Sequence, residues 1–338
     1  KAIEAFRLDR KLSKHTERVA LTADWIGAML TGKWATSESD GACNLLINQS
    51  RRQIARTWLD EVGLVSDLIA PVLPIGKALG MIGRPKNNNE WLEVANKLAG
   101  YTLVSPLGDN HAGGLSCGLD DEETLAISAG TSGTVYRLAD SKVQVAGKAA
   151  HFAYHDGINL QPRRLLLSML PDCCGSRWQS FLAEYQGEMD LAEFSELALE
   201  VEQNPEVQVY VPQHTSDFSG LPRWDRLSLP QKVASVFNSI AQDLIEVIDS
   251  MMVEVTDLGR PQITKAVITG GLFNSEYFLQ LIKLHLEEIH GLTVFRSAKE
   301  GKLASKGEPL GALVNAAASS YDSLAAAIED LCPIAKVG

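Results

Sequence analysis

A carboxylate and a glycine-bracketed pair of hydroxyls stand about twenty residues apart near the middle of this 338-residue chain. The first lies in Ser105-Pro-Leu-Gly-Asp-Asn-His-Ala-Gly-Gly-Leu-Ser-Cys-Gly-Leu119, where Asp109 follows a short apolar run and precedes Asn110 and a cluster of small residues. The second is Gly130-Thr131-Ser132-Gly133, set between the runs 124–128 and 134–138. A carboxylate on a bend with small neighbours can be presented at the mouth of a cleft, where a substrate comes close. Two glycines around two hydroxyls leave consecutive peptide N–H groups able to converge on a phosphate oxygen. A proton acceptor and a phosphate cradle are the minimum equipment for moving a phosphoryl group onto an alcohol.

Each feature also has a plainer reading. Asp is a favoured N-cap, so Asp109 would equally serve to start a helix, and spacing alone does not choose. The Gly-Thr-Ser-Gly turn would serve a plain β-hairpin. A third element, Gly270-Gly271 with Asn274 and Ser275 beyond it, reads as a strand-to-helix junction open to a ligand, or as close packing of helix on strand. Gly27-Ala-Met-Leu-Thr-Gly-Lys33 imitates the start of a P-loop, but Trp34 replaces the magnesium-binding hydroxyl and the glycines end a helix. His151 and His155 are spaced by four in a stretch that reads as strand or loop, which argues against a metal pair. His111 reads as a pocket-lining or a surface residue, and Trp25, Trp34 and Trp58 as core and interface residues. Adjacent Cys173 and Cys174 read as a reduced pair near a helix start.

The elements that must position these groups follow from periodicity and breakers. Helical spacing covers 16–30 with Gly32 as its cap, a second helix is expected over 50–62, and a third from the amide run at 87 to 99. A short buried strand, 101–105, leads to the Gly108-Asp109 bend. Strands 124–128 and 134–138 form a hairpin around the Gly-Thr-Ser-Gly turn. A strand at 207–211 precedes a long helix over 231–258 that Gly259 and Pro261 stop. Strand 263–268, helix 275–289, a strand at Val294 and two alanine-rich helices complete the chain. Strands alternating with helices indicate an α/β protein, with two domains dividing near 120–122.

The net charge of −11 argues against a nucleic acid or an anionic membrane as partner. Five cysteines without metal-ligand spacing, no signal peptide and no apolar run of membrane-spanning length fit a cytoplasmic protein.

At these residues the chain resembles the FGGY family of carbohydrate kinases, its xylulokinase branch above all. The likeness rests on Asp24-Trp-Ile-Gly-Ala-Met-Leu-Thr-Gly-Lys-Trp-Ala-Thr-Ser-Glu-Ser-Asp-Gly-Ala42, Gly108-Asp-Asn-His-Ala112, the intact Gly-Thr-Ser-Gly turn, Gly270 through Gln280, and Glu308-Pro-Leu-Gly-Ala-Leu313. The resemblance implies an actin-like ATPase fold of two ribonuclease-H-like domains, 1–121 on the sugar side and 122–338 on the ATP side. It implies phosphorylation of a pentulose, D-xylulose first, or of another ketose or polyol; a noncatalytic actin-like sensor is the contrasting reading. Asp109 would be the base and, with Asn110, a sugar contact. Gly130, Thr131 and Ser132 would hold the ATP phosphates, and Gly270, Gly271, Asn274 and Gly311 would border the adenosine. Mg²⁺ would bridge the phosphates with Asp109 in its outer shell, no side chain binding metal directly, and a homodimer is compatible with this.

Four departures bear on these expectations. Leu272 stands where the family often has a third glycine, and Lys283-Leu284 where it has Ala-Asp. The family's opening Asp-x-Gly-Thr loop and its last helices have no counterpart, so the chain is expected to begin partway through the first domain and to lack turnover alone.

Overall fold

The structure is a computed structural model that describes residues 4, 9–49, 51–83, 92–140, 149–154, 163–185, 187, 189–201, 208–215, 217–253, 262–297, 307–318, 321–332 and 334–337. The expected features at residues 87–91, His155, Val207, Leu258, Gly259 and Pro261 lie outside them.

The first third is built from short pieces. Helix α1, Thr22–Thr31, ends at Gly32, whose left-handed backbone (φ 74°) lets its N–H reach the Ala28 carbonyl at 2.8 Å. The Gly27–Lys33 stretch is therefore a helix end and not a phosphate loop. Residues 16–21, expected to be helical, are not: Val19 bridges Ile69 in parallel and donates to the Leu68 carbonyl at 2.9 Å. Helix α2 is Glu38–Cys43. The helix expected over 50–62 is also shortened, to Arg56–Glu61, because Gln53–Ile54 pairs with Ile47–Asn48 across a turn containing Arg52 at φ 51°. Leu92–Leu98 is the described part of the third expected helix. The strand before Asp109 is Thr102–Val104, and it is partly exposed where a buried one was expected. Helix α3, Asp109–Ser116, follows it.

A seven-stranded sheet organises the rest. Strands β1 (Thr124–Ala129) and β2 (Gly133–Asp140) form the expected hairpin, with Ala129 opposite Gly133. Strands β3 (Ala150–Ala153) and β4 (Arg163–Leu170) extend the sheet antiparallel beyond β2. On the other side of β1, strands β5 (Lys265–Thr269) and β6 (Thr293–Ser297) run parallel to it, and β7 (Ile334–Lys336) closes the edge antiparallel.

Alternate residues of each central strand enter opposite cores, as a period of two requires. Leu125, Ile127, Val135, Ala266 and Ile268 face one core; Ala126, Tyr136, Leu138 and Val267 face the other. Both faces are apolar, so both must be covered by helices. The first is covered by α4 (Gly175–Tyr185), α5 (Leu191–Leu199), α6 (Leu229–Val253) and α7 (Glu276–Glu288). The second is covered by α3, α8 (Gly307–Ala317) and α9 (Leu324–Leu331). Residues 208–211 are not a strand. The N–H groups of Val209 and Val211 instead donate to Ser235 Oγ and Ser239 Oγ on α6, at 3.1 and 2.8 Å. Trp25 and Trp58 are exposed and not core, at 41% and 40%. Cys173 and Cys174 are free thiols, buried ahead of α4 with their sulfurs 3.4 Å apart.

Candidate active site

Asp109 is the first residue of α3, and Gly108, not Asp109, is the N-cap. Its Oδ1 accepts the next N–H, from Asn110, at 2.7 Å, and the side chain is exposed. One carboxylate oxygen thus steadies the helix start while the group faces solvent. The bend before it is held by hydroxyls. Gly108 N–H donates to Ser39 Oγ at 3.0 Å, and Ser37 Oγ donates to the Pro106 carbonyl at 2.6 Å. The Ser37–Asp40 run therefore docks onto the bend and brings α2 beside Asp109.

Asp40 and Cys43 on α2 feel the charge of Asp109. Burial, then Asp24, then Asp109 push the Asp40 carboxyl above its ordinary range. Burial with Asp40 and Asp109 lifts the Cys43 thiol to about 11, so it remains protonated at neutral pH. Neither residue was singled out from sequence, although both lie in or beside a run that carried the resemblance.

His111 neither lines the pocket nor lies on the surface. It is fully buried; its Nε2 lies 2.9 Å from the Ala153 carbonyl and its ring sits against Phe152 and Tyr154. Burial brings this imidazole down to about 4, and it anchors α3 to β3 as a neutral ring. Asn110 is tied to the large sheet as well, since its Oδ1 accepts from the Tyr136 hydroxyl at 3.2 Å. Tyr136 lies on β2 three residues past Gly133, or about 10 Å along the strand from the Gly-Thr-Ser-Gly turn.

That turn is oriented by the segment leading into α4. Gly175 N–H donates to the Gly130 carbonyl at 2.7 Å, and Ser176 N–H to the Thr131 carbonyl at 3.3 Å. In a planar trans peptide the C=O and the following N–H point in opposite directions. With both carbonyls drawn back toward α4, the N–H groups of Thr131 and Ser132 point away from it. Among the described residues neither has an acceptor. Ser132 Oγ accepts from Asp172 N–H at 3.1 Å, and Thr131 is exposed. The hairpin and cradle readings are therefore compatible: the loop is a hairpin whose donors face outward. Sequence reasoning had not linked residues 172–176 to this turn.

Gly270 and Gly271 lie alongside. Thr269 pairs with Ser128, so the carboxyl ends of parallel strands β5 and β1 are neighbours. Gly270 has φ 104°, and a Cβ there would fall 2.5 Å from the carbonyl carbon and oxygen of Ala129, the residue just before the turn. Gly271 opens a short 3₁₀ turn ending at Asn274, and a Cβ on it would meet open space. Asn274 is exposed, and Ser275 caps α7 by accepting from Phe278 N–H. Gly311 lies within α8, which packs against α3; Asn315 of α8 donates to the Ser105 carbonyl at 3.1 Å, beside the bend.

The two glycine turns are thus brought together directly, and Asn110, next to Asp109, is tied to β2 through Tyr136. The arrangement offers an exposed carboxylate at the start of α3, and outward N–H donors beside open backbone at the ends of β1 and β5. It suits an anionic ligand approaching a hydroxyl-bearing one.

No protein-family model matches the chain. The xylulose kinase of Escherichia coli K12 is 24% identical over 149 residues, which are 44% of this chain and 30% of that protein. The autoinducer-2 kinase of E. coli O139:H28 is 26% identical over 118 residues, 35% of this chain and 21% of the relative. Among solved structures, a xylulose kinase from Rhodospirillum rubrum superposes with a TM-score of 0.75 at 16% identity, covering 99% of this chain and 65% of that one. Plasmodium falciparum glycerol kinase with ADP gives 0.72 at 15% identity, covering 97% and 64%. The chain therefore spans about two thirds of the length of these solved kinases, and its matched stretch under a third of the curated relatives. The α/β, actin-like architecture expected from sequence is the fold these structures share with it. In fold and in sequence, then, the chain is similar to carbohydrate kinases, with xylulose kinases among the proteins it resembles.

Proposed function

We propose that this chain is the greater part of an ATP-dependent carbohydrate kinase that phosphorylates a pentulose, D-xylulose first. The observation that carries the reading is the orientation of the Gly130–Ser132 turn. Its carbonyls are held by α4, and its free N–H groups face outward beside Gly270.

Thr131 and Ser132 would receive the phosphate oxygens of ATP, and Gly130 lets the chain turn without a side chain in the way. Gly270, Gly271, Asn274 and Gly311 would border the nucleoside. Asp109, with one oxygen engaged by Asn110 N–H and the group exposed, would accept the proton of the attacking hydroxyl, and Asn110 would help place the sugar. A general base of this kind contributes about 10²–10⁴-fold to rate. The outward N–H donors and the exposed carboxylate fit a magnesium–nucleotide complex. Mg²⁺, when bound, would neutralise charge on the phosphates, with Asp109 reaching it through water. Closure of the part that precedes α3 over the sheet and its glycine turns would exclude water from the transfer.

No helix among the described residues is long and apolar enough to cross a membrane. A cytoplasmic enzyme acting on small molecules, as a monomer or homodimer and without a nucleic-acid partner, follows from the same reading.

The test is sugar-stimulated ADP release by the intact enzyme across xylulose, ribulose, other ketoses and polyols. Xylulose should give the highest kcat/KM. A higher value for another polyhydroxylated acceptor would keep the kinase and change its substrate. ATP binding with no acceptor-dependent ADP release would make the protein a sensor.

A further inference from the structure

Two imidazoles and a carboxylate converge on α6 and α7, well away from the glycine turns. Asp249 lies near the end of α6, His285 in the last turn of α7, and His290 just beyond α7, before Gly291 turns the chain at φ 67° into β6. Both Nε2 atoms lie 2.7 Å from the same oxygen, Asp249 Oδ1, and the two rings meet edge to face with centroids 5.1 Å apart. The three donor atoms all lie within 4.8 Å of one another. The histidine side chains are only 18% and 16% exposed, the aspartate 46%.

A single carboxylate oxygen thus already gathers two partly buried imidazoles within hydrogen-bond distance. Replacing the hydrogen-bonding protons by one divalent ion uses the same three atoms as ligands. A tetrahedral ion holds its ligand atoms about 3.4 Å apart, so each imidazole–carboxylate distance would open by about 0.7 Å from its 2.7 Å. Two imidazole nitrogens and one carboxylate suit zinc and its neighbours in the first transition row, whereas Mg²⁺ and Ca²⁺ prefer all-oxygen shells. His285 is nine residues past the start of α7, about 13 Å along the helix axis from the end that borders the glycine turns. The cluster is therefore separate from the phosphate cradle.

We propose that Asp249, His285 and His290 form a zinc-class divalent cation site that pins the end of α7 and the turn after it to α6. A solvent molecule completes the coordination on the exposed side. The site is independent of the Mg²⁺ that accompanies ATP, so its role is to hold the helices and not to transfer phosphate.

The experiment is a calorimetric titration of the full chain, freed of metal by a chelator, with ZnCl₂ near neutral pH. One saturable site per chain is expected, unaffected by excess Mg²⁺, with thermal unfolding moved up by several degrees. His285→Gln/His290→Gln should weaken Zn²⁺ binding by at least about tenfold and abolish that thermal shift. Should the double variant fail to fold by circular dichroism, Asp249→Asn is read for the same loss. Co²⁺ in place of Zn²⁺ should give a ligand-field spectrum without a thiolate charge-transfer band. The absence of a saturable site, equal Zn²⁺ affinity in the variants, or a thiolate band assigning the ion to Cys173 and Cys174 would each overturn the proposal.

Discussion

Asp109 and His111 occupy one turn of α3 and meet opposite surroundings, the first exposed and the second wholly enclosed. That contrast makes the enclosed residue a source of acid sensitivity. The unfolded chain protonates this imidazole below about 6.5 and the folded chain only below about 4. Between those values the unfolded state binds more protons, so stability falls as pH falls. The full effect is roughly 3 kcal/mol, complete once the pH is below both values. The stability lost from neutral pH to about 4 should therefore be smaller in His111→Gln by that amount, measured by chemical denaturation. Equal losses in both proteins would mean that the ring is not held neutral. The role of His111 was not legible in the sequence, because its enclosure depends on Phe152 and Tyr154, some forty residues away. Asp109 was legible, since its neighbours are small and local. Asp40 and Cys43 escaped notice because only the folding of α2 onto the Gly108 bend places them there.

The strand-to-turn junctions show how much of an element is written locally. The β1–β2 hairpin, the Gly32 cap and the Gly270–Ser275 junction were readable, because a turn residue and its flanking apolar run settle each one. The misplaced helices and strand come from backbone pairing that helical or strand spacing does not show. Residues 16–21 keep a helical spacing yet bridge Ile69; 53–54 join a strand at 47–48; 208–211 give their N–H groups to serines of α6. In the first and last cases backbone groups found long-range partners, and in the second a local hairpin partner, that outweighed a weak helical preference. The junction at 270–271 yields a paired prediction. Gly270→Ala adds a Cβ 2.5 Å from Ala129 backbone at a φ of 104°, so it should cost about 1–3 kcal/mol and weaken ATP binding. Gly271→Ala meets open space, and its unfolding midpoint should stay within a degree or two of the parent. Thermal unfolding of the two variants side by side checks this; equal losses would remove the close approach of Gly270 to Ala129 from the account.

At the scale of the molecule, one sheet sandwiched by helices presents both glycine turns at the carboxyl ends of adjacent parallel strands. Helix α3 and the turn after it belong to the second core of that sheet through Leu115, Cys117 and Leu119, and the helix carries Asp109 at its free end. The helix that starts with the carboxylate and the sheet that carries the N–H donors are thus joined by packing, with Asn110–Tyr136 and Asn315–Ser105 as polar ties. The sequence showed the parts of this site, but not that α8 and α3 would be neighbours, since 210 residues separate Ser105 from Asn315. The central claim is that Asp109 takes the acceptor's proton while the glycine turns hold the nucleotide. It is tested most directly by Asp109→Asn in the intact enzyme, measuring sugar-dependent ADP release and ATP affinity together. The account predicts a fall in kcat of about 10²–10⁴-fold with ATP affinity changed by no more than about twofold. Turnover within about tenfold of the parent would contradict it.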